Sequence, residues 1–331
     1  MNKIFLEKIF NSANDKKIYI IGDIMLDRYL LGDVTRISPE APVQVFDIRK
    51  SEYRLGGAAN VGFNVKTLGS EPVLIGVTGN DQEGKLLSDE LEKLSLSIEG
   101  IITENNRPTT CKTRVISDSH HLLRIDSESK EDISSDSQKK ILELLKKNVS
   151  EIGIIILQDY NKGVLSKELI HSISEFANEN KIKVLVDPKF ENFFEFKNVY
   201  LFKPNRKELE DALGKKAKSP EDFNEFANEL VNRINCENVI LTLGELGMMI
   251  FEKTNGKVNI EKIATKAMSV ADVSGAGDTV ISTIAVCLAG GANVKDAAVI
   301  SNFAAGIVIK EVGIVPIYKD VLIDYILKEQ T

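Results

Sequence analysis

Residues 272–279, D-V-S-G-A-G-D-T, combine the residue types that acid–base chemistry on an anionic substrate needs. Gly275, Ala276 and Gly277 stand where a helical pattern begins, so their backbone N–H groups would be free and closely approachable. Free N–H groups at a helix N-terminus bind anions and stabilise developing negative charge. Asp278 follows within the first turn, where a carboxylate can accept the proton of a hydroxyl nucleophile. An anion hole with a base beside it is what phosphoryl transfer to an alcohol requires. A tight turn followed by an acid favoured by the helix dipole would leave the same residues, and the segment alone does not choose between the two.

Two further segments carry polar residues at useful spacing. In residues 55–64, L-G-G-A-A-N-V-G-F-N, Gly56 and Gly57 open a helix of small residues. Small residues admit a polyol, and Asn60 offers both a donor and an acceptor; close helix–sheet packing would use the same glycines. In residues 203–208, K-P-N-R-K-E, Asn205 and Glu208 share a helix face. Glu208 could hold a hydrated Mg²⁺, which keeps several waters and takes few carboxylates. The same N-x-x-E is a capping box, and the two roles are compatible.

Other patterns exclude themselves. Residues 79–86, G-N-D-Q-E-G-K-L, nearly match a P-loop, but Leu86 stands where a Mg²⁺-binding hydroxyl belongs, and Asp81 and Glu83 would repel phosphate. No G-x-G-x-x-G follows the first strand. His120 and His121 lack further ligands nearby and His171 is far away, so loop or lid positions are expected for them rather than a metal site.

The 331-residue chain is 43% hydrophobic and 27% charged, which allows a sizeable core. A net charge of −7 without any long basic run argues against nucleic acid as partner. Cys111, Cys236 and Cys287 are far apart and odd in number, so buried reduced thiols are expected. The charged, amphipathic N-terminus suits a helix better than a signal peptide, and no apolar run reaches membrane-spanning length. A cytoplasmic enzyme with no membrane contact is the expectation.

The elements that must position these residues follow from periodicity. Apolar runs at 18–22, 73–77, 152–157, 183–186, 199–202 and 239–243 read as strands buried on both faces. Amphipathic stretches at 136–147 and 167–178 lie between them, and long helical patterns span 276–289 and 294–310. Strands alternating with helices predict an α/β fold, a doubly wound, mostly parallel sheet with helices on both faces. Within 29–54 and 109–126 β-rich pieces occur without an intervening helix; they predict a small inserted β-sheet that acts as a lid on a single domain, 1–331.

In order, the Gly56–Gly57 helix start, N-x-x-E at 205–208 and D-x-x-G-A-G-D at 272–278 resemble the motif set of the ribokinase-like (PfkB-type) carbohydrate kinases, over nearly the whole chain. Residues 21–33 (I-G-D-I-M-L-D-R-Y-L-L-G-D), 36–42 (R-I-S-P-E-A-P), 56–61 (G-G-A-A-N-V), 158–163 (Q-D-Y-N-K-G), 186–189 (V-D-P-K) and 272–280 are similar to the branch of that family acting on heptose 7-phosphate. The resemblance implies ATP-dependent phosphorylation of D-glycero-β-D-manno-heptose 7-phosphate at its anomeric hydroxyl, in ADP-heptose synthesis for lipopolysaccharide core or a related glycan. It implies Asp278 as base and Gly275, Ala276 and Gly277 as anion hole. Asn205 and Glu208 fall on the ATP–Mg²⁺ side, with Thr242, Gly244 and Gly247 lining the nucleotide pocket and Asn302 near the adenine. Asp23, Asp27, Gly56, Gly57 and Asn60 are implied to hold sugar hydroxyls.

For the sugar phosphate, Lys112, Arg114 and Arg124 are candidate cations, with Lys162 a further one; ordinary surface-charge roles stay open for each. A K⁺ site beside Asp272 and Ser274 and a homodimer are also implied. Many members of this branch carry a C-terminal adenylyltransferase; H-x-G-H is absent here and the chain ends soon after the kinase pattern, so a stand-alone kinase is expected. Ser274 replaces a commoner Thr but keeps the hydroxyl, and Gln158 and Asn161 replace smaller residues.

Overall fold

The computed structural model describes residues 1–14, 16–118, 120–254, 256–265 and 271–329. Helix α1 (Lys3–Ala13) starts where the Asn2 side chain accepts the Phe5 N–H at 2.9 Å, and buries Leu6, Ile9, Phe10 and Ala13. The chain then runs through β1 (Lys17–Gly22), β2 (Ile24–Ile37), β3 (Gln44–Gly57), α2 (Ala58–Thr67), β4 (Glu71–Gly79), α3 (Gln82–Lys93), β5 (Ile101–Glu104), β6 (Cys111–Ser117) and β7 (His120–Ser127). It continues as α4 (Ser135–Lys147), β8 (Ile152–Gln158), α5 (Lys167–Glu179), β9 (Lys183–Asp187), β10 (Leu201–Phe202), α6 (Arg206–Leu213), α7 (Asp222–Ile234) and β11 (Asn238–Thr242). β12 (Met248–Thr254), β13 (Lys257–Ile263), α8 (Ala276–Ala289), α9 (Val294–Val308) and α10 (Lys319–Lys328) complete it.

Among the described residues, nine strands form one sheet in the order β13-β12-β11-β10-β9-β8-β1-β4-β5. Neighbours from β11 to β5 pair in parallel, while β12 and β13 add an antiparallel edge. Alternate residues of the central strands serve opposite cores. Ile18, Ile20, Ile154 and Ile156 pack under α1, α2, α8, α9 and α10, whereas Tyr19, Ile21, Ile155 and Leu157 pack under α4, α5 and α7. Burial on both faces is why these strands are nearly continuous in apolar residues. The sheet is doubly wound and mostly parallel, as the alternation predicts.

A second sheet of four strands, in the order β3-β2-β6-β7, forms the lid. Its strands extend beyond the expected bounds: β2 begins at Ile24 and β3 runs into Gly56 and Gly57. Gly57 (φ +57°) is the N-cap of α2, so only Ala58 onward is helical. The lid therefore grows directly from the ends of body elements that meet at the site. β5 and the β12–β13 hairpin were not expected; β5 is four residues long, and β13 alternates with charged residues in a way that reads as loop.

Candidate active site

Order reverses across the sheet between β1 and β8: the chain goes from β1 outward to β4 and β5, then returns to β8 on the other side. Ligands in such sheets bind at the carboxyl ends of the strands at this switch point. The polar residues converging here follow that rule. Gln158, Asp187 and Thr242 are the last residues of β8, β9 and β11, and Asp23 and Lys203 directly follow β1 and β10.

Asp278 sits in the first turn of α8 and is 2% exposed. Its Oδ2 accepts from Asn60 Nδ2 at 2.8 Å, and its Oδ1 from Gln158 Nε2 at 3.1 Å and Tyr160 Oη at 2.7 Å. Burial pushes its carboxyl up to about 6; the Asn60 and Tyr160 hydrogen bonds oppose that rise, Asp187 adds to it and Lys203 opposes it. The group is thus ionised at neutral pH yet more basic than an ordinary carboxylate, which suits a general base.

Gly275 is the N-cap of α8 with φ +78°, a left-handed conformation that glycine adopts freely. A Cβ on Gly277 would lie 3.6 Å from Lys203 Nζ and 3.7 Å from Asp187 Oδ2. The Lys203 ammonium, 2.9 Å from Asp187 and buried, therefore stands beside the helix start and adds positive charge to it. Of the three N–H groups expected to be free there, that of Ala276 is donated to Val273 O at 3.2 Å, because the preceding turn closes on it.

This turn is the common wall of two cavities. One, of about 890 Å³, is lined by Gly275, Ala276 and Gly277 together with Asn205, Glu208, Thr242, Gly244, Gly247 and Asn302, so it gathers every residue expected on the nucleotide side. The other, of about 1050 Å³, lies between lid and body, with Asp272 and Ser274 on the body side and Arg54, Arg114, His121 and Arg124 on the lid side.

Within the first cavity, Asn205 and Glu208 form the capping box: Asn205 Oδ1 accepts the Glu208 N–H at 2.9 Å and Glu208 Oε2 the Asn205 N–H at 2.8 Å. The other Glu208 oxygen pairs with Lys189. Burial works against the Lys189 charge, but Glu208 and Asp187 carry its pKa above the ordinary lysine value. Asn302 Nδ2 donates to Ala264 O at 2.8 Å. Among the described residues no group of three or more His, Cys, Asp or Glu side chains is arranged to hold a metal ion.

The residues expected around the sugar divide. Asn60 faces Asp278 and is steadied by Asn64, which donates to its Oδ1 at 3.2 Å. Asp23 is buried and both its oxygens accept backbone N–H groups, from Tyr160 (2.7 Å), Lys162 (3.1 Å) and Val164 (3.1 Å), so this carboxylate holds the 160–164 loop. Asp27 is buried and ion-paired with Arg114. A Cβ on Gly56 would come within 2.3 Å of Asp27 Oδ2, and one on Gly57 within 2.3 Å of the Asp23 carbonyl, so both glycines are required by close packing.

The expected cations also separate. Arg114 stacks on Tyr29 at 5.2 Å and Arg54 on the same ring at 4.7 Å. Arg124 is 60% exposed and forms a two-pronged pair with Asp126 at 3.0 Å. Lys112 lies 5.3 Å over the Tyr160 ring, where burial lowers its pKa. Lys162 pairs with Glu128 at 2.7 Å. Asp272 accepts the Ser274 N–H at 2.9 Å and the Gly313 N–H at 3.0 Å, tying the 272–277 turn to the loop after α9.

Elsewhere, the P-loop-like stretch is a capped helix start: Asp81 accepts from Gly84 N at 2.8 Å and from Thr109. His171 pairs with Glu195, and the three cysteines are buried and free. No helix among the described residues is long and apolar enough to cross a membrane.

The sequence pattern of the pfkB family of carbohydrate kinases matches residues 15–318. The chain is a pfkB family carbohydrate kinase. The kinase is 41% identical over 308 residues to bifunctional protein HldE of Aliarcobacter butzleri, a match covering 93% of this chain and 64% of that protein. To the protein of the same name from Desulfatibacillum aliphaticivorans it is 38% identical over 297 residues, 90% of this chain and 60% of that one. The chain thus spans a little under two thirds of the length of these relatives. Among solved structures, it is similar to Escherichia coli phosphofructokinase-2 in complex with potassium, with a TM-score of 0.77 at 18% identity over 96% of this chain and 99% of that one. Arabidopsis thaliana ribokinase complexed with ribose and ATP has a TM-score of 0.73 at 17% identity, covering 94% and 98%. At such identities the likeness shows the fold alone.

The kinase's site also contains residues to which the residue patterns assigned no role: Tyr160, Gln158, Asp187, Lys189 and Lys203. Tyr160, Gln158, Asp187 and Lys189 stood only within stretches of resemblance, and Lys203 at the head of the 203–208 segment. Their common signal is position, since each ends or closely follows a buried parallel strand.

Proposed function

We propose that the kinase transfers the γ-phosphoryl group of ATP to the anomeric hydroxyl of D-glycero-β-D-manno-heptose 7-phosphate, giving the 1,7-bisphosphate and ADP. The observation that carries this reading is the place of Asp278: a buried carboxylate whose pKa is pushed up to about 6, directly after the 272–277 turn whose residues line both cavities. The acceptor oxygen forms a bond to the γ-phosphorus as the bond to the β-phosphate oxygen breaks, and its proton passes to Asp278. The N–H groups of Gly275 and Gly277 and the Lys203 ammonium offset the charge that builds. A relative 41% identical over 93% of this chain, and the lid arginines facing the second cavity, support a phosphorylated heptose as the acceptor.

Mg²⁺ bound with ATP would neutralise phosphate charge. Glu208, whose Oε1 pairs with Lys189, is the carboxylate that would hold the hydrated ion, an ion that takes few carboxylates and keeps several waters. Each Asp272 oxygen accepts one backbone N–H, and Asp272 with the Ser274 hydroxyl would be the groups to hold a K⁺ ion there. A homodimer through the lid accounts for its exposed Ile37, Ile48, Leu123 and Ile125 and for β7 as an exposed edge strand; sedimentation velocity of the wild type tests it.

The test of the reaction is ADP release against a panel of sugars and sugar phosphates. The heptose 7-phosphate should give the highest kcat/KM. Preference for an unphosphorylated sugar or for a hexose phosphate would overturn the assignment.

A further inference from the structure

Tyr160 touches the root of the lid, lid strand β6, a lysine of the first cavity and Asp278. Its backbone N–H is held by Asp23, at the root of the lid. Its ring has the Lys112 ammonium of lid strand β6 at 5.3 Å and the Lys189 ammonium at 5.4 Å. Lys189 in turn is paired with Glu208 in the first cavity. The Tyr160 hydroxyl donates to Asp278 Oδ1 at 2.7 Å.

The two oxygens of the base are unequally occupied. Oδ1 accepts from both Tyr160 and Gln158, which fills its two lone pairs, whereas Oδ2 accepts from Asn60 alone among the described residues. Gln158 Nε2 also donates to Asp187 Oδ2 at 3.1 Å, so that amide is shared and Tyr160 makes the shorter bond. We propose that Tyr160 is a positioning residue for the base: it fixes the rotation of the Asp278 carboxylate, saturates Oδ1 and leaves Oδ2 as the oxygen that receives the acceptor proton. The inference rests on Asp278 being the base of the kinase reaction, and not on which sugar is the acceptor.

The charged groups around this pair are Asp187 and Lys203 beside Asp278, and Asp27, Asp187, Lys112 and Lys189 beside Tyr160. Burial and the neighbouring carboxylates push the phenol well above the usual tyrosine range, so it remains a donor through any pH at which the enzyme works. A neutral donor on Oδ1 favours the ionised carboxylate without forming an ion pair that would quench its basicity.

The test reads Asp278 directly. Protein labelled with ¹³C at aspartate Cγ is titrated by NMR, the Asp278 signal being the one lost in Asp278→Asn. In Tyr160→Phe the midpoint should rise by about one pH unit, the scale of one hydrogen bond to a charged group. With 3-fluorotyrosine at position 160, a stronger donor on nearly the same ring, it should fall below the wild-type value. With the best acceptor in hand, kcat of the Phe variant should drop about fivefold at pH 6, and by little at pH 8, while KM for ATP stays within about twofold. Midpoints unmoved in both proteins overturn the proposal, as does a loss of turnover equal at every pH. The titration needs no sugar, so its outcome is distinct from failure of the heptose assignment, which would appear as a wild type inactive on that sugar.

Discussion

Asn60 Nδ2 lies 2.8 Å from Asp278 Oδ2, joining the first turn of α2 to the first turn of α8 across 218 residues of sequence. The bond makes the Gly-Gly helix start and the D-x-x-G-A-G-D segment one site. Asn60→Ala removes the only donor seen on Oδ2 among the described residues. A hydrogen bond to a charged group is worth about 1.5–3 kcal/mol, so kcat should fall roughly 10–100-fold and its acid limb should move to higher pH. Steady-state kinetics across pH 5–9 check this.

Activity and stability should part as pH falls. As the proposed base, Asp278 must be ionised to act, so kcat/KM should drop about tenfold per pH unit below the midpoint near 6. Asp278 and Asp159 both hold protons more tightly in the folded chain than an ordinary carboxylate, with pKa values pushed to about 6 and about 7, in each case first by burial. Such groups contribute stability that is present below the unfolded pKa and lost as pH rises through the folded one. Carboxyls held low, such as Asp81 and Glu104, act oppositely and cost stability only below the ordinary carboxylate range. Melting temperature should therefore hold level or rise from pH 7.5 to 5 while turnover falls. Parallel losses of both would contradict the assignment of Asp278.

The two glycines of the anion-hole turn should respond differently. A Cβ at Gly277 would meet ordinary van der Waals distances, and Ala is favoured over Gly inside a helix by about 0.5–1 kcal/mol. Gly277→Ala should thus keep or raise the melting temperature while lowering kcat by about tenfold or more, because the methyl group occupies the approach to the N–H groups. Gly275→Ala must adopt φ +78° and sets its Cβ 3.2 Å from Asn60 Nδ2, so it should lose about 1–2 kcal/mol of stability as well as activity. Calorimetry with kinetics on both variants separates the cases.

Of the lid arginines, Arg114 and Arg124 differ in what their loss exposes. Arg114→Ala leaves Asp27 buried without its cation, which costs about 3–5 kcal/mol. Arg124 and Asp126 form a solvated pair, so Arg124→Ala should change stability by about 0–1 kcal/mol and act, if the second cavity holds the sugar phosphate, through KM. Urea unfolding of each variant, beside KM for the acceptor, checks both.

Legibility in the sequence followed burial. Ile18, Ile20, Ile154 and Ile156 must be apolar on one face and their neighbours on the other, so the parallel strands stood out and the doubly wound fold followed from them. β5 and β13 did not, because a four-residue edge strand and a strand alternating with charge carry no such signature. At the site, Asp278 and its glycines were visible because helix starts announce themselves locally. Gln158, Asp187 and Lys203 were not, since a single polar residue at a strand end acquires meaning only when β8, β9 and β10 lie side by side. Asp23 shows the converse: a buried aspartate in a resembling stretch serves the loop that carries Tyr160.

The most direct test of the base assignment is Asp278→Asn assayed for sugar-phosphate-dependent ADP release, with ATP binding measured by calorimetry on the same protein. Loss of a general base should reduce kcat about 10²–10⁴-fold while the dissociation constant for ATP changes little. Turnover within about tenfold of wild type, with ATP still bound, would remove Asp278 from that role and the account with it.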